Sequence, residues 1–192
     1  VLAHQKSQAL KPRFIGPLSR FTPQKIDSKN YERELMVILS GPEPLRTQFE
    51  KKVTRMLQRW GQKALLVRGL VGIEEHTHTK GELAIVNHLS LDKMQSEIEK
   101  SRFILCRSGY SSIMDLLVLG KQAIIVPTLG QTEQEYLADY LKEKKWFYSA
   151  REKELNLVDA MVQVKSYQPP PISQNNVELE NAINWLSEKL SQ

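Results

Sequence analysis

The sequence predicts a doubly wound α/β domain, a parallel sheet with helices on both faces. Short apolar runs alternate with stretches whose apolar residues recur at helical spacing. The runs are apolar throughout instead of at every second position, as in strands covered on both sides. A chain of 192 residues suffices for one such domain, burying roughly 70% of its unfolded surface without a metal or disulfide staple.

Residues 1–30 are polar and irregular, with Pro12, Gly16, Pro17 and Pro23 spaced through them and Phe14-Ile15-Gly16-Pro17 as the apolar knot. They read as a linker. The folded domain is expected over 31–192. Leu35 to Leu39 makes a first strand, stopped by Ser40-Gly41-Pro42, and Leu45, Phe49, Val53, Met56 and Leu57 mark a first helix. Ala64 to Val67 and Leu83 to Val86 are the second and third strands. Leu91, Met94 and Ile98 suggest a helix leading to a fourth strand at Phe103 to Cys106. Ile113 to Leu119 is a helix closed by Gly120, and Ala123 to Val126 a fifth strand ended by Pro127. Thr132 to Lys144 reads as helix, Trp146 to Tyr148 as a short strand, and Arg151 to Val164 as helix. Gln168 to Pro171 is a proline stop before a last amphipathic helix, Val177 to Leu190. No internal repeat or low-complexity segment interrupts this order.

Hydrophobic residues are 41% and charged residues 26% of the chain, an ordinary globular balance. No apolar run approaches the roughly 20 residues of a membrane span. A chain that opens on Val1 with no charged-then-apolar leader shows no signal peptide, and is expected to begin inside a longer protein. The formal net charge is +5, compatible with phosphates, nucleic acid or an anionic membrane face, but better read as a soluble surface with extra lysines. The lone Cys106 excludes an internal disulfide and fits a reducing compartment.

In a doubly wound sheet, ligands bind beyond the carboxyl ends of the strands. Three loops have the composition for it: Ser40 to Pro44, Arg107 to Ser112 and Thr128 to Gln134. In the second, Gly109 lets the backbone approach a ligand and Ser111 or Ser112 can cap the helix. The amides of the first turn then favour phosphate. Asp115, one turn on, suits vicinal hydroxyls such as those of ribose. A reading with no ligand stays open, in which Ser111 caps the helix and Asp115 complements its dipole. The dinucleotide and P-loop fingerprints are absent, as is a hydrolase nucleophile elbow. Glu75-His76-Thr77-His78 reads as a solvated polar loop, no Asp-x-Asp stands ready for a divalent ion, and no aromatic-plus-basic motif points to nucleic acid.

Arg107-Ser108-Gly109-Tyr110-Ser111-Ser112-Ile113-Met114-Asp115, then Leu119 to Pro127, then Gln134-Glu135-Tyr136, resembles the donor-binding half of GT-B glycosyltransferases, glycosyltransferase family 28 above all. The resemblance runs from about Glu34 to Leu141. It implies a Rossmann-like half of a GT-B fold that binds a UDP-sugar without a metal or other cofactor. Ser108, Gly109, Ser111 and Ser112 would line the diphosphate and ribose, and Asp115 would hold the ribose hydroxyls. Gln131 and Gln134 would face the sugar, Thr128 the mouth of the pocket, Leu91 the base and Gly41 the diphosphate. The catalytic base and acceptor site would belong to an N-terminal domain, in cis or as a partner subunit in trans. By itself the chain would bind donor but turn over little. The family setting further implies a cytoplasmic protein reaching to the inner face of the membrane and peripheral to it. A nucleotide-sugar epimerase or hydrolase of the same fold, and a non-catalytic donor-binding subunit, are the alternatives.

Two departures stand out. The family's Gly-Gly-Ser loop is replaced by Ser40-Gly41-Pro42-Glu43-Pro44, which loses two amide donors to proline and gains a negative charge. The family's paired glutamines are Gln134-Glu135, which leaves the donor open between a hexose and an N-acetylhexosamine.

Overall fold

The computed structural model of the chain describes residues 15–22, 31–70, 72, 76–172 and 177–190. Its strands are β1 (Arg33–Ile38), β2 (Ala64–Val67), β3 (Thr77–Lys80), β4 (Leu83–Val86), β5 (Ser101–Arg107), β6 (Ala123–Val126) and β7 (Tyr148–Ser149). They form one sheet in the order β3-β4-β2-β1-β5-β6-β7. Every pairing is parallel except that of β3 with β4. The helices are α1 (Leu45–Trp60), α2 (Leu91–Glu99), α3 (Tyr110–Val118), α4 (Thr132–Glu143), α5 (Leu157–Gln163) and α6 (Val177–Leu190).

Alternation along the strands builds two cores. In β6, Ile124 and Val126 face one side with Phe49, Val53 and Leu57 of α1 and Leu157 and Ala160 of α5. Ala123 and Ile125 face the other with Ile98 of α2, Ile113 and Leu117 of α3, and Leu137 and Leu141 of α4. Ile124 and Ile125 are both fully buried, each contributing about 1.5–3 kcal/mol of transfer free energy. Such strands cannot lie at a solvated face, so the doubly wound expectation stands.

Three local expectations change. Thr77 and His78 open an exposed antiparallel edge, β3, instead of a loop, with the imidazoles of His78 and of His76 just ahead of the strand stacked 6.4 Å apart; Glu75 lies outside the described residues. Polar side chains blunt this edge against further pairing. The stretch 151–164 is a 3-10 turn at Glu152–Glu154 and then α5, because the Asn156 side chain accepts from the amides of Val158 and Asp159 and starts a new helix. The last strand is Tyr148–Ser149, slightly later than the Trp146–Tyr148 expectation. Gly120 closes α3 as the sequence suggests. At φ +60 it turns the chain so that its own amide reaches Leu117 O and that of Lys121 reaches Leu116 O.

Part of the segment ahead of β1 packs on the domain. Phe21 is 2% exposed and joins the core under α3. Pro12, Phe14 and Pro23 lie outside the described residues.

Candidate functional site

The chain lays β1, β2 and β4 outward in one direction, then returns to place β5, β6 and β7 on the other side of β1. The winding therefore reverses between β1 and β5, and the crevice of a doubly wound sheet opens beyond their carboxyl ends. Three turns surround it: 39–44 after β1, Ser108-Gly109 after β5, and 127–131 after β6.

The β5–α3 turn is open. Gly109 precedes the first helical residue at φ −69 and ψ 143, and no side chain caps the helix. Ser111 and Ser112 lie inside the first turn, so neither is the cap the sequence suggested. The first closed backbone bond is Ile113 N to Gly109 O, 3.0 Å. Among the described residues nothing accepts from the amides of Tyr110, Ser111 or Ser112. These donors carry the positive end of the α3 dipole. A Cβ on Gly109 would meet nothing within 4 Å, so the approach is unobstructed. Ser108 is fully buried and donates from Oγ to Gln134 O at 2.8 Å, tying this turn to α4.

Asp115 is 6% exposed, one turn into α3. Its carboxylate accepts from Ser19 Oγ at 2.7 Å and Arg20 Nε at 3.1 Å. Ser19 Oγ in turn accepts the Phe21 amide at 3.0 Å. The segment 15–22 thus straps across α3 and fixes the acid's orientation. Each carboxylate oxygen keeps one lone-pair direction beyond its strap bond. Burial, and then the Asp115 charge, push the Cys106 thiol up to about 12, leaving it a packed, unreactive group.

The β1–α1 turn is closed by the protein itself. Glu43 accepts from the Thr47 amide at 3.2 Å, Thr47 Oγ1 at 2.9 Å and Arg46 Nε at 2.7 Å. The Thr47 hydroxyl and then the Arg46 guanidinium hold its carboxyl below the usual carboxylate range. Arg46, 7% exposed, is pinned further by Glu50 at 2.7 Å. Gly41 sits at φ +110, and a Cβ there would come within 4.0 Å of Thr128 Oγ1.

The third turn is a clasp. Thr128 N donates to Gln134 Oε1 at 3.0 Å, and Gln134 Nε2 donates to Gln131 Oε1. The buried Thr128 hydroxyl makes no hydrogen bond. The structure therefore gathers Gly41, Ser108, Gly109, Ser111, Ser112, Asp115, Thr128, Gln131 and Gln134 around the three turns. Leu91, 47% exposed at the start of α2, follows β4, which β2 separates from β1 in the sheet.

Sequence reasoning missed the Ser19-Arg20 strap, the Glu43 plug and Arg107. Arg107 is 2% exposed, stacks 3.8 Å over the Phe49 ring, and donates to Pro127 O at 3.2 Å and Glu152 Oε2 at 2.7 Å. It holds the third turn in place from beneath. The Glu43, Arg46 and Thr47 spacing was a local signal for the plug; the strap and Arg107 bond across 95 and 45 positions and have none. Among the described residues, no group of three or more His, Cys, Asp or Glu is placed to hold a metal ion.

Fold and site together define a doubly wound α/β domain that presents one open helix amino terminus and a buried acid at its switch point. The sequence matches the family described as glycosyltransferase family 28 C-terminal domain over residues 46–183, and the chain belongs to that family. Its fold is similar to the NMR solution structure of ALG13 (TM-score 0.53, 17% identity, 79% of this chain and 95% of that chain). It is also similar to the crystal structure of Acinetobacter baumannii MurG (TM-score 0.51, 12% identity, 73% of this chain). The chain spans 44% of that MurG chain. No curated protein matches the sequence. The expected Rossmann-like half of a GT-B fold is therefore the observed one, in a domain of the glycosyltransferase class.

Proposed function

We propose that this domain binds a nucleoside-diphosphate sugar, a UDP-sugar by family likeness, across the β1/β5 crevice. It would serve as the donor half of a glycosyltransferase that works without a metal. The open first turn of α3 carries the proposal, since it is an anion site with a carboxylate one turn behind it. The diphosphate would lie against the amides of Tyr110, Ser111 and Ser112 and the two serine hydroxyls. The ribose hydroxyls would donate into the free lone pairs of Asp115. As the glycosidic bond breaks, charge grows on the departing diphosphate, and these fixed donors stabilise it where it grows.

The sugar would lie towards the third turn. Gln131 Nε2 and the second proton of Gln134 Nε2 remain to donate there, and Thr128 lines the mouth. Leu91 would flank the base, and Gly41 the diphosphate. The catalytic base and acceptor would come from a further domain in cis or a partner subunit in trans, so that this chain alone binds donor and turns over little. The resemblance supports a cytoplasmic setting, with the whole protein peripheral to the inner membrane face.

Calorimetric titration with UDP and UDP-sugars tests the proposal. Binding is expected for the wild type. Asp115→Ala should weaken it by about 10-fold or more, the worth of hydrogen bonds to a charged group. No binding of any nucleotide at millimolar concentration would sink the reading.

A further inference from the structure

A ribbon of alternating charge runs from the first turn of the crevice to the turn after β4. Glu43 holds Arg46, whose Nη1 donates to Glu50 Oε2 at 2.7 Å. The other oxygen, Glu50 Oε1, accepts from Arg68 Nε at 2.7 Å, and Arg68 Nη1 goes on to Asn87 Oδ1 at 3.1 Å. Arg46 Nη1 also donates to Arg68 O at 3.1 Å, so Arg68 is held at its backbone and at its head. Two guanidiniums thus converge on one half-buried carboxylate, and without it two like charges would be left facing each other.

The backbone follows the same route. Leu39 N donates to Val67 O, Arg68 N to Val86 O and Leu70 N to Asn87 O, each at 2.9 Å. Between them Gly69 passes so close to the end of β1 that a Cβ would lie 2.4 Å from Leu39 O. Residues 68–70 are therefore wedged between β1 and the turn 87–90, which leads into α2 and Leu91. A guanidinium only donates, so its bond fixes which end of the Asn87 amide is the oxygen. Arg68 meets Glu50 and Asn87 through two nitrogens of one rigid fork, so the position of Glu50 dictates where Asn87 is held. Resting on the donor reading above, we propose that Glu50 and Arg68 are positioning residues for the nucleobase: through Asn87 they fix the turn 87–90 and so set the base preference of the domain. Hydrogen bonds to a base weaken steeply as distance and angle leave their optimum. A loosened turn therefore costs the fitted base more than a misfitted one, and preference is the difference between the two. The diphosphate, at α3 on the far side of β2 and β1, is left in place.

Calorimetric titration with UDP, ADP and inorganic pyrophosphate tests it. Wild type should prefer UDP over ADP by about 10-fold or more. Arg68→Met should weaken UDP by about 10-fold while ADP and pyrophosphate change by less than about twofold, so that the preference collapses. Glu50→Gln should act in the same direction, and the double variant should lose no more than the stronger single one, since either change breaks the one bridge. Arg68→Lys keeps the charge without the fork and should also narrow the preference, which keeps the test open if Arg68→Met does not fold. Arg33→Met breaks the Arg33–Glu97 pair, which holds the start of β1 at the opposite end of the strands, and should leave the preference intact. An unchanged UDP-to-ADP ratio in folded Arg68 variants overturns the proposal. Equal narrowing in Arg33→Met overturns it as well, as does a loss of pyrophosphate affinity that matches the loss of UDP. Wild type that binds all three without preference overturns it while the anion site stands. Wild type that binds none of them overturns the donor reading itself, and the positioning role with it.

Discussion

The helices α1 and α3 begin side by side at the same crevice, each following a neighbouring strand, yet their amino termini have opposite fates. In α1 the chain supplies its own anion: Glu43 folds back onto the Thr47 amide and the Arg46 guanidinium. In α3 the residue before the helix is a glycine with no side chain to offer, and the first-turn amides stay open. The same dipole is thus consumed internally at one turn and left for a ligand at the next. A helix amino terminus indicates an anion site only once its own carboxylates have been accounted for.

Tyr110→Pro breaks this contrast most directly. Gly109 already has the extended backbone that a residue before proline requires, and proline is tolerated at the first helical position. The substitution removes one open amide while leaving α3 intact. UDP affinity should fall about 10-fold with little change in the denaturation midpoint. An unchanged affinity would move the diphosphate away from α3.

Alanine in place of the two turn glycines should separate the turns by stability. Gly41→Ala forces a side chain into φ +110 and should cost about 1–3 kcal/mol in urea denaturation. Gly109→Ala, at φ −69 with open space around it, should instead stabilise by about 0.4–1 kcal/mol through the unfolded chain.

The smallest effect is expected at the plug. Glu43→Gln removes a negative charge beside the crevice and should raise UDP affinity by about threefold at low salt, fading as salt is added. Its pH signature has a definite sign. The folded carboxyl lies below its ordinary 4.5, so between the two values the unfolded chain binds more protons. Stability is then held above 4.5 and lost as pH falls through the depressed value. Thermal melts in acid should show this loss in wild type and a shallower one in Glu43→Gln.

The parallel strands were legible because β2 and β6 are buried at all four positions, and a run apolar throughout has few other homes. The edge β3 was not, since all four of its residues are exposed and only pairing with β4 makes them a strand. At the crevice, the β5–α3 turn could be read from residues 108–115 because its parts are consecutive. The state of the other turns could not. The orientation of Asp115 depends on residues 95 and 96 positions away, and the third turn rests on Arg107, whose partner Glu152 is 45 positions on. The family resemblance marked Gln131 and Gln134 as residues facing the sugar, but not that Gln134 would already donate to Gln131.

The strap gives the crevice a mechanical property. Phe21 is wedged into the core, and immediately before it Ser19 and Arg20 grip the acid. Tension or torque on the chain ahead of residue 15 reaches that carboxylate along a few residues, with no helix between to absorb it. A nucleotide held by Asp115 would be in series with that load, so tethering or cutting the upstream chain should alter its dwell time without touching any group that contacts it.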